Sequence, residues 1–213
     1  MKWNKFPSQV VRLPIKGTRN FMSMTTNEVE KNLEMFPEYK VAQEHMIAGR
    51  FQKAVPNYER VFDSLQSALG LESPLTTHLL YQLANGHRYA GNFQKAQSLL
   101  SQYTPKLTQN IEAKLKLNQL QTVVYLLSRH FESALRLSDT NLEECERLSN
   151  HENTYSKYLS SLYGSLGISH LVNGNIHDAE TFLQMSCRWA ENPTEHLISA
   201  TNNGKYHNIS FLN

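Results

Sequence analysis

The sequence contains little of what several large classes of protein require. It has two cysteines, Cys145 and Cys187, which cannot by themselves form a disulfide scaffold or a structural zinc site. Its nine glycines and seven prolines are too few for a collagen-like or disordered chain. No apolar run approaches the roughly 20 residues of a membrane-spanning helix. Since 40% of the 213 residues are hydrophobic, the chain can bury the core of one domain or one short repeat array.

Acidic residues are missing from the start of the chain. Residues 1–27 contain five basic residues and no acidic one, and Glu28 is the first acid. The basic residues are Lys2, Lys5, Arg12, Lys16 and Arg19. This composition is typical of a mitochondrial transit peptide, and residues 19–23 resemble a matrix-protease cleavage context, although Pro7 and Pro14 interrupt any long amphipathic helix. We therefore expect a mitochondrial protein, with a basic tail on a cytoplasmic protein as the alternative.

The rest of the chain lacks the basic surface that nucleic acids require. Five of the 21 basic residues lie in residues 1–27, which leaves 16 against 19 acidic residues and a formal charge of −3. Phosphate binding needs clustered basic residues, and the sequence shows no such cluster. We expect no nucleic-acid partner.

One short phrase occurs four times, at spacings of 42, 38 and 45 residues. It consists of a small or polar residue, a spacer, an aromatic or aliphatic residue, two spacers and an alanine. The copies begin at Gly49, Gly91, Arg129 and Gly174, and their alanines are Ala54, Ala96, Ala134 and Ala179. Each copy separates two apolar-periodic stretches of helix length. We interpret it as the turn of a helical hairpin, in which glycine ends the first helix and alanine allows close helix contact.

The positions around the phrase also repeat. A small residue lies seven places before the turn, a ring lies four places before it, and a large residue lies four places after the alanine. The small residues are Ala42, Ala84, Thr122 and Gly167, the rings are His45, His87, Tyr125 and His170, and the last position holds Tyr58, Leu100, Ser138 and Leu183. This pattern is that of tetratricopeptide repeats, whose minimal unit is about 34 residues.

Residues 51–100 resemble the longer tetratricopeptide repeats of kinesin light chains. The matching residues are Ala54, Pro56 and Tyr58, then the linker Leu69-Gly70-Leu71-Glu72-Ser73-Pro74, then Leu80-Tyr81-Gln82-Leu83-Ala84. Ser73 stands where those repeats usually have histidine. The third unit departs furthest, since Gln121, Ser138 and Asn141 occupy positions that usually pack. The resemblance implies an all-α solenoid of about four helical hairpins, with Pro56 tolerated inside a helix.

We divide the chain into a disordered basic leader (residues 1–33), a repeat array (residues 34–202) and a polar tail (residues 203–213). An extra helix at about Glu195–Asn202 follows the fourth hairpin. It is either the cap of the array, which solenoids require, or the start of a longer array.

Motifs for catalysis or metal binding are missing. The nine histidines form no HExxH or clustered Cys/His motif, and no phosphate-binding glycine loop or nucleophile elbow is present. We interpret the recurring His45, His87 and His170 as rings packed between helices. We expect no metal, no cofactor and no enzymatic activity, and we expect both cysteines to be buried free thiols.

Stacked hairpins form a groove lined by their first helices, which is the surface we expect to bind a protein or an extended peptide. Amide side chains can pair with a peptide backbone, and tyrosines give contact area at low entropic cost. The candidate groove residues are Tyr39, Gln43, His78, Tyr81, Asn85, Arg88, Lys116 and Gln119. The alternative is that these are ordinary solvated positions. Only Lys116 matches the carboxylate clamp of chaperone-binding repeats, so a chaperone tail is a disfavoured partner.

The resemblance implies a non-catalytic role in protein–protein interaction. Our leading hypothesis is a mitochondrial scaffold or assembly factor. The alternatives are a cytoplasmic adaptor similar to kinesin light chains, and a structural subunit of a larger complex in which a neighbour fills the groove.

Overall fold

The computed structural model describes residues 24–149 and 153–191, and every regular element in these ranges is helical. Their α-helices are α1 (Thr26–Leu33), α2 (Pro37–Ile47), α3 (Phe51–Leu69), α4 (Pro74–Tyr89), α5 (Phe93–Tyr103), α6 (Ile111–Leu127), α7 (Phe131–Ser149), α8 (Leu159–Val172) and α9 (Ile176–Glu191). No helix in the described ranges is long and apolar enough to cross a membrane. The predicted transit-peptide cleavage context, terminal helix and polar tail lie outside the described residues.

Helices α2 to α9 form four helical hairpins, as the repeated phrase predicts. Each helix packs on the next, and the first helices of successive units, α4, α6 and α8, also contact one another. Helix α3 runs without interruption through Pro56, which confirms that this proline is tolerated. The fold is therefore an all-α array of tetratricopeptide type.

The four hairpin turns share one backbone geometry. In each, the residue after the turn donates its N–H to the carbonyl of the recurring ring residue, which closes a Schellman motif. The four bonds are Arg50–His45 at 2.8 Å, Asn92–His87 at 2.9 Å, His130–Tyr125 at 2.9 Å and Asn175–His170 at 3.0 Å. The repeated ring position is thus also a fixed backbone position, the third residue from the end of the first helix.

The turn residue itself has a positive φ in all four units. Gly49, Gly91 and Gly174 have φ values of 68°, 75° and 82°, which glycine adopts without steric cost. In the third unit Arg129 adopts φ 62°, and it is the single non-glycine residue with positive φ in the part of the chain that is described. The third hairpin therefore forms the same turn with a residue that is poorly suited to it.

Small residues set the distance between the two helices of a hairpin. The four alanines of the repeated phrase are all buried, as expected from their predicted role. Helices α8 and α9 approach each other closely, since a Cβ on Gly167 would stand 2.8 Å from Cγ of Leu183. Ser160 and Ser186 also donate to each other's backbone carbonyls across this contact, at 2.9 and 2.7 Å.

The interior consists of two apolar clusters with a polar region between them. One cluster joins α1 to α6, and the other contains Leu115, Leu142, Cys145 and residues of α8 and α9. The polar seam, as we name it, consists of the buried residues Gln121, Ser138, Asn141 and Ser169. Its side chains are satisfied by hydrogen bonds, such as Ser138–Ser169 at 3.0 Å and Asn141 to the carbonyl of Leu115 at 3.1 Å.

Helix α1 differs from the prediction, because we placed its residues in the disordered leader. Thr25 and Glu28 form a capping box, in which each side chain accepts a hydrogen bond from the other's backbone N–H. Val29 and Leu33 lie one turn apart and are both buried, and the helix packs against α4. The described part of the array therefore begins with helix α1, which precedes the four hairpins formed by α2 to α9.

The two cysteines have different environments, although we predicted both to be buried. Cys145 is buried and free, and loss of solvation raises the pKa of its thiol to about 11. Cys187 is free but exposed, so the prediction is wrong for this residue. It lies on α9, the last described helix, on a face that no later described element covers.

Candidate functional site

The first helices α4 and α6 enclose an open cavity of about 680 Å³, which we call the first-helix groove. Met24, Thr26 and Val29 close one end of it, and Tyr158 and Ser161 contribute at the other side. Six of the eight predicted groove residues line this cavity: His78, Tyr81, Asn85, Arg88, Lys116 and Gln119. The repeat register therefore brings together side chains that lie up to 41 positions apart in the sequence.

The other two predicted residues do not line the groove. Tyr39 is buried in the first apolar cluster, where its ring lies 5.9 Å from that of Tyr58. Its hydroxyl accepts a 2.7 Å hydrogen bond from Nε2 of Gln43, and burial raises its pKa. Tyr39 therefore faces the hairpin interior, toward Tyr58 of α3, and not the groove.

The α4 wall of the groove carries a positive charge among neutral partners. Nε of Arg88 donates to Oδ1 of Asn85 at 2.8 Å, and the guanidinium stands 4.0 Å from the centre of the Tyr89 ring. That ring in turn stacks on Phe51 at 5.1 Å. These contacts fix the direction of Arg88 without neutralising its charge, so it can bind an acceptor group of a ligand.

About two turns before Asn85, the α4 wall is uncharged. Burial lowers the pKa of His78, so its imidazole is neutral at pH 7. Its Nε2 lies 3.4 Å from Nε2 of Gln82, a second amide that lines the groove. This part of the wall therefore offers both hydrogen-bond donors and hydrogen-bond acceptors to a ligand.

The α6 wall is a self-contained network around Glu112. Its Oε1 accepts hydrogen bonds from Lys116 at 2.9 Å and from the Tyr158 hydroxyl, and Nζ of Lys157 stands 3.7 Å away. Burial by itself raises the pKa of Glu112, but the hydrogen bonds from Tyr158 and Lys116 outweigh this and hold it below its usual value. Lys116 lies in the groove as predicted, but its ammonium group is already paired with Glu112.

Sequence reasoning missed several residues of the groove. Glu112 stands four places before Lys116, which is the spacing of a helical ion pair and was a usable signal. Thr25-x-x-Glu28 before Val29 is likewise the signature of a capped helix start. Tyr158 comes from a 3-10 turn before α8, where no periodic pattern indicates its direction.

The groove is suited to hydrogen-bonded recognition of an extended chain. Gln82, Asn85 and Gln119 supply amide donors and acceptors, and Tyr81 supplies an aromatic surface. Within the described ranges, no group of three His, Cys, Asp or Glu side chains is arranged to hold a metal ion.

Comparison with known proteins confirms the predicted kind of repeat. Residues 38–108, from α2 to the linker before α6, match the family model of the tetratricopeptide repeat. These residues are therefore tetratricopeptide repeats, and the remaining described hairpins continue their geometry. Repeats of this family mediate contacts between proteins. A search of the curated proteins gave no match.

Solved structures of kinesin light chain repeats share the fold. A single-substitution variant of TPR-like repeats from a Podosopora anserina protein described as a kinesin light chain is 18% identical, with 80% of this chain and 90% of that chain covered and a TM-score of 0.60. A second structure of those repeats is 17% identical, with coverages of 84% and 90% and a TM-score of 0.57. BtubC (BKLC) from P. vanneervenii is 15% identical, with coverages of 85% and 74% and a TM-score of 0.61.

Proposed function

We propose that this chain is a non-catalytic scaffold whose first-helix groove holds an extended segment of a partner protein. The observation that carries the proposal is the convergence of Tyr81, Asn85 and Arg88 from α4 with Gln119 from α6 on one open cavity. Arrays of this type generally act as scaffolds and use such surfaces to bind proteins. The groove therefore supplies both the space and the polar groups that an extended peptide requires.

The charges of the groove favour a particular arrangement of the bound segment. On the α6 wall Lys116 is already paired with Glu112, whereas the partners of Arg88 among the described residues are an amide and an aromatic ring. An acceptor group of the partner is best placed beside Arg88, and the partner's backbone beside Asn85 and Gln119. The segment binds mainly by hydrogen bonds and contact with Tyr81.

Photo-crosslinking in cells tests the groove. A photoreactive amino acid at Gln119 should crosslink the partner, while the same residue at Asp139, which is exposed on α7 outside the groove, should not. Replacing Asn85 and Arg88 with alanine should lower the yield at Gln119 about tenfold, as expected for the loss of a charge-assisted contact. The matched control is Gln94→Ala with Gln102→Ala, two exposed residues of α5. Equal yields at Gln119 and Asp139 would contradict the proposal.

The cellular setting that we propose is the mitochondrion, where the chain acts as an assembly factor. Support comes from the acid-free, basic composition of residues 1–27. Imaging of a tagged protein with and without these residues tests it, and a cytoplasmic location of the intact chain would instead support the adaptor alternative. Purification as a stable stoichiometric complex would support the role of a structural subunit.

A further inference from the structure

The first helix of every hairpin carries an exposed apolar residue close to its end. This residue lies two places before the turn residue with positive φ in each unit. The four residues are Ile47, Tyr89, Leu127 and Val172, which are 86%, 51%, 49% and 40% exposed. A single exposed apolar side chain needs no explanation, but four at one repeat position lie along one edge of the array and mark a contact surface.

This edge is continuous from one hairpin to the next. The ring of Phe51, at the start of α3, stacks on Tyr89 at the end of α4 with the ring centres 5.1 Å apart. Nδ2 of Asn173, at the end of α8, donates to the carbonyl of Phe131 at the start of α7 at 3.1 Å. We call the surface the turn edge and define it by the apolar residues two places before and two places after each turn residue, which are Ile47, Phe51, Tyr89, Phe93, Leu127, Phe131, Val172 and Ile176.

The charge of the turn edge has one sign. Residues 46–51, 88–93, 126–131 and 171–176 contain Arg50, Arg88 and Arg129 but no aspartate or glutamate. The guanidinium of Arg88 stands 4.0 Å from the centre of the Tyr89 ring, which places a positive charge directly beside an apolar contact. Glu132, which follows the third of these segments, is paired with Arg136 at 3.2 Å. The surface therefore complements a partner that is both apolar and acidic.

The spacing of the exposed residues matches the repeat of an α-helix. The first helices α4, α6 and α8 contact one another, so equivalent residues on them lie about 10 Å apart. A helix returns to the same face every seven residues, which is a rise of about 10.5 Å. An apolar residue at every seventh position of a helix can therefore contact successive units of the array.

We propose that the turn edge binds an acidic amphipathic helix of a partner protein, which lies across the ends of the first helices. Its apolar residues contact Tyr89, Leu127 and Val172 in turn, and its carboxylates lie beside the arginines. A lipid surface is a poorer match, because the neighbours of these three side chains cover about half of each and the side chains do not project far enough to enter a bilayer. None of the eight side chains of the turn edge lines the first-helix groove, so the two surfaces are tested separately.

The probe is a synthetic fluorescein-labelled peptide of about four heptads, with leucine at every seventh position, glutamate on both sides of each leucine and alanine elsewhere. Fluorescence anisotropy with the full-length protein should show saturable binding. Ile47→Glu with Leu127→Glu should weaken it at least about tenfold, because two apolar contacts are replaced by charges that repel the peptide. The matched control is Met35→Glu with Val41→Glu, which changes two apolar residues that are 56% and 40% exposed outside the turn edge and should leave the affinity unchanged.

The same peptide also reports where it binds. A photoreactive residue at its centre should crosslink to the turn edge, whereas crosslinks to Tyr81 or Gln119 would place the peptide in the first-helix groove and contradict the proposal. Equal binding by the I47E/L127E variant, or equal binding of a peptide with lysine in place of glutamate, would also overturn it.

A lipid partner is tested with vesicles of phosphatidylserine and phosphatidylcholine. We expect the full-length protein to stay in solution when the vesicles are sedimented. Sedimentation of the unmodified protein but not of the I47E/L127E variant would assign the turn edge to a membrane and overturn the proposal. Circular dichroism of each variant checks that the array remains folded.

Discussion

The first two hairpins and the last two solve the same packing problem with different chemistry. At the position nine residues after the turn, the first two units bury Tyr58 and Leu100, whereas the third buries Ser138. Ser138 is tolerated there because it bonds to Ser169 of the next unit. The comparison teaches that the repeat fixes which positions are buried, while the side chains that fill them can be apolar or hydrogen-bonded.

Truncation of Leu100 should give the largest effect, because this residue is fully buried in the apolar half. We expect Leu100→Ala to lower the free energy of unfolding by about 3 kcal/mol through lost burial and a cavity. Leu183→Ala changes the equivalent but half-buried residue of α9 and should cost about half as much. Urea unfolding followed by circular dichroism measures both, and equal costs would contradict the comparison between the units.

Replacement of the polar side chain of Asn141 tests the hydrogen-bonded packing of the polar seam. Its Nδ2 donates to the carbonyl of Leu115, and its Oδ1 accepts from Asn118 at 3.2 Å. Asn141→Leu should cost about 2 kcal/mol, because these buried groups lose their partner although the volume is preserved. The control is Thr140→Val, since Thr140 is exposed on the neighbouring position and a small change is expected there. Unchanged stability of Asn141→Leu would show that the polar seam is not held by its hydrogen bonds.

A substitution in the turn of the third hairpin should raise the stability of the protein, whereas the reverse substitution in the turn of the second hairpin should lower it. Arg129→Gly removes a side chain from a left-handed conformation and should stabilise the protein by about 1 kcal/mol. Gly91→Ala makes the opposite change at the equivalent turn and should destabilise by a similar amount. Thermal unfolding of the two variants measures the effects, and a loss of stability in Arg129→Gly would contradict the assignment of strain.

The smallest expected effect concerns the contact between two linkers: the one that joins α3 to α4 and the one that precedes α6. The carboxylate of Glu72 accepts hydrogen bonds from the backbone N–H groups of Thr108, Gln109 and Asn110 at 2.7, 3.2 and 3.1 Å. Burial is the largest single influence and by itself raises the pKa of Glu72, but the hydrogen bonds together outweigh it and lower the pKa from 4.5. Its stabilising effect is therefore complete above pH 4.5 and is lost as the pH falls through the lower folded value.

We expect Glu72→Gln to cost about 0.5 kcal/mol at pH 7, since the site is partly solvated. The difference between the two proteins should shrink as the pH falls below 4.5. Urea unfolding at several pH values measures it, and a difference that grows on acidification would contradict the lowered pKa.

Much of the fold follows from the repeated phrase, because a turn with positive φ and a buried alanine are steric requirements of each hairpin. The four turns lie where the repeated phrase places them, and Arg129 takes the glycine position as the register requires. Helix α1 was missed because it lies outside the repeat and because the basic composition of the leader outweighed its capping signal. The third unit matched the repeat pattern poorly because it buries polar residues, and their hydrogen-bond partners on other helices cannot be recognised from one sequence.

The groove was predictable where it follows the register and unpredictable where other elements enter it. His78, Tyr81, Asn85 and Arg88 share one face of α4, which helical periodicity gives directly. Tyr39 packs against Tyr58 in the first apolar cluster, and Tyr158 reaches Glu112 from a turn that lies outside the repeating pattern. Cys187 was wrongly predicted to be buried because free cysteines usually are, whereas no later described helix covers this residue of α9.

The polar seam also bears on how the array responds to mechanical force. Apolar contacts can slide over a short distance and keep most of their energy, but a hydrogen bond such as Ser138–Ser169 is directional and breaks over a fraction of an ångström. The hydrogen-bonded part of the α7–α8 contact therefore tolerates less relative sliding of the two helices than the apolar contacts that join α1 to α6.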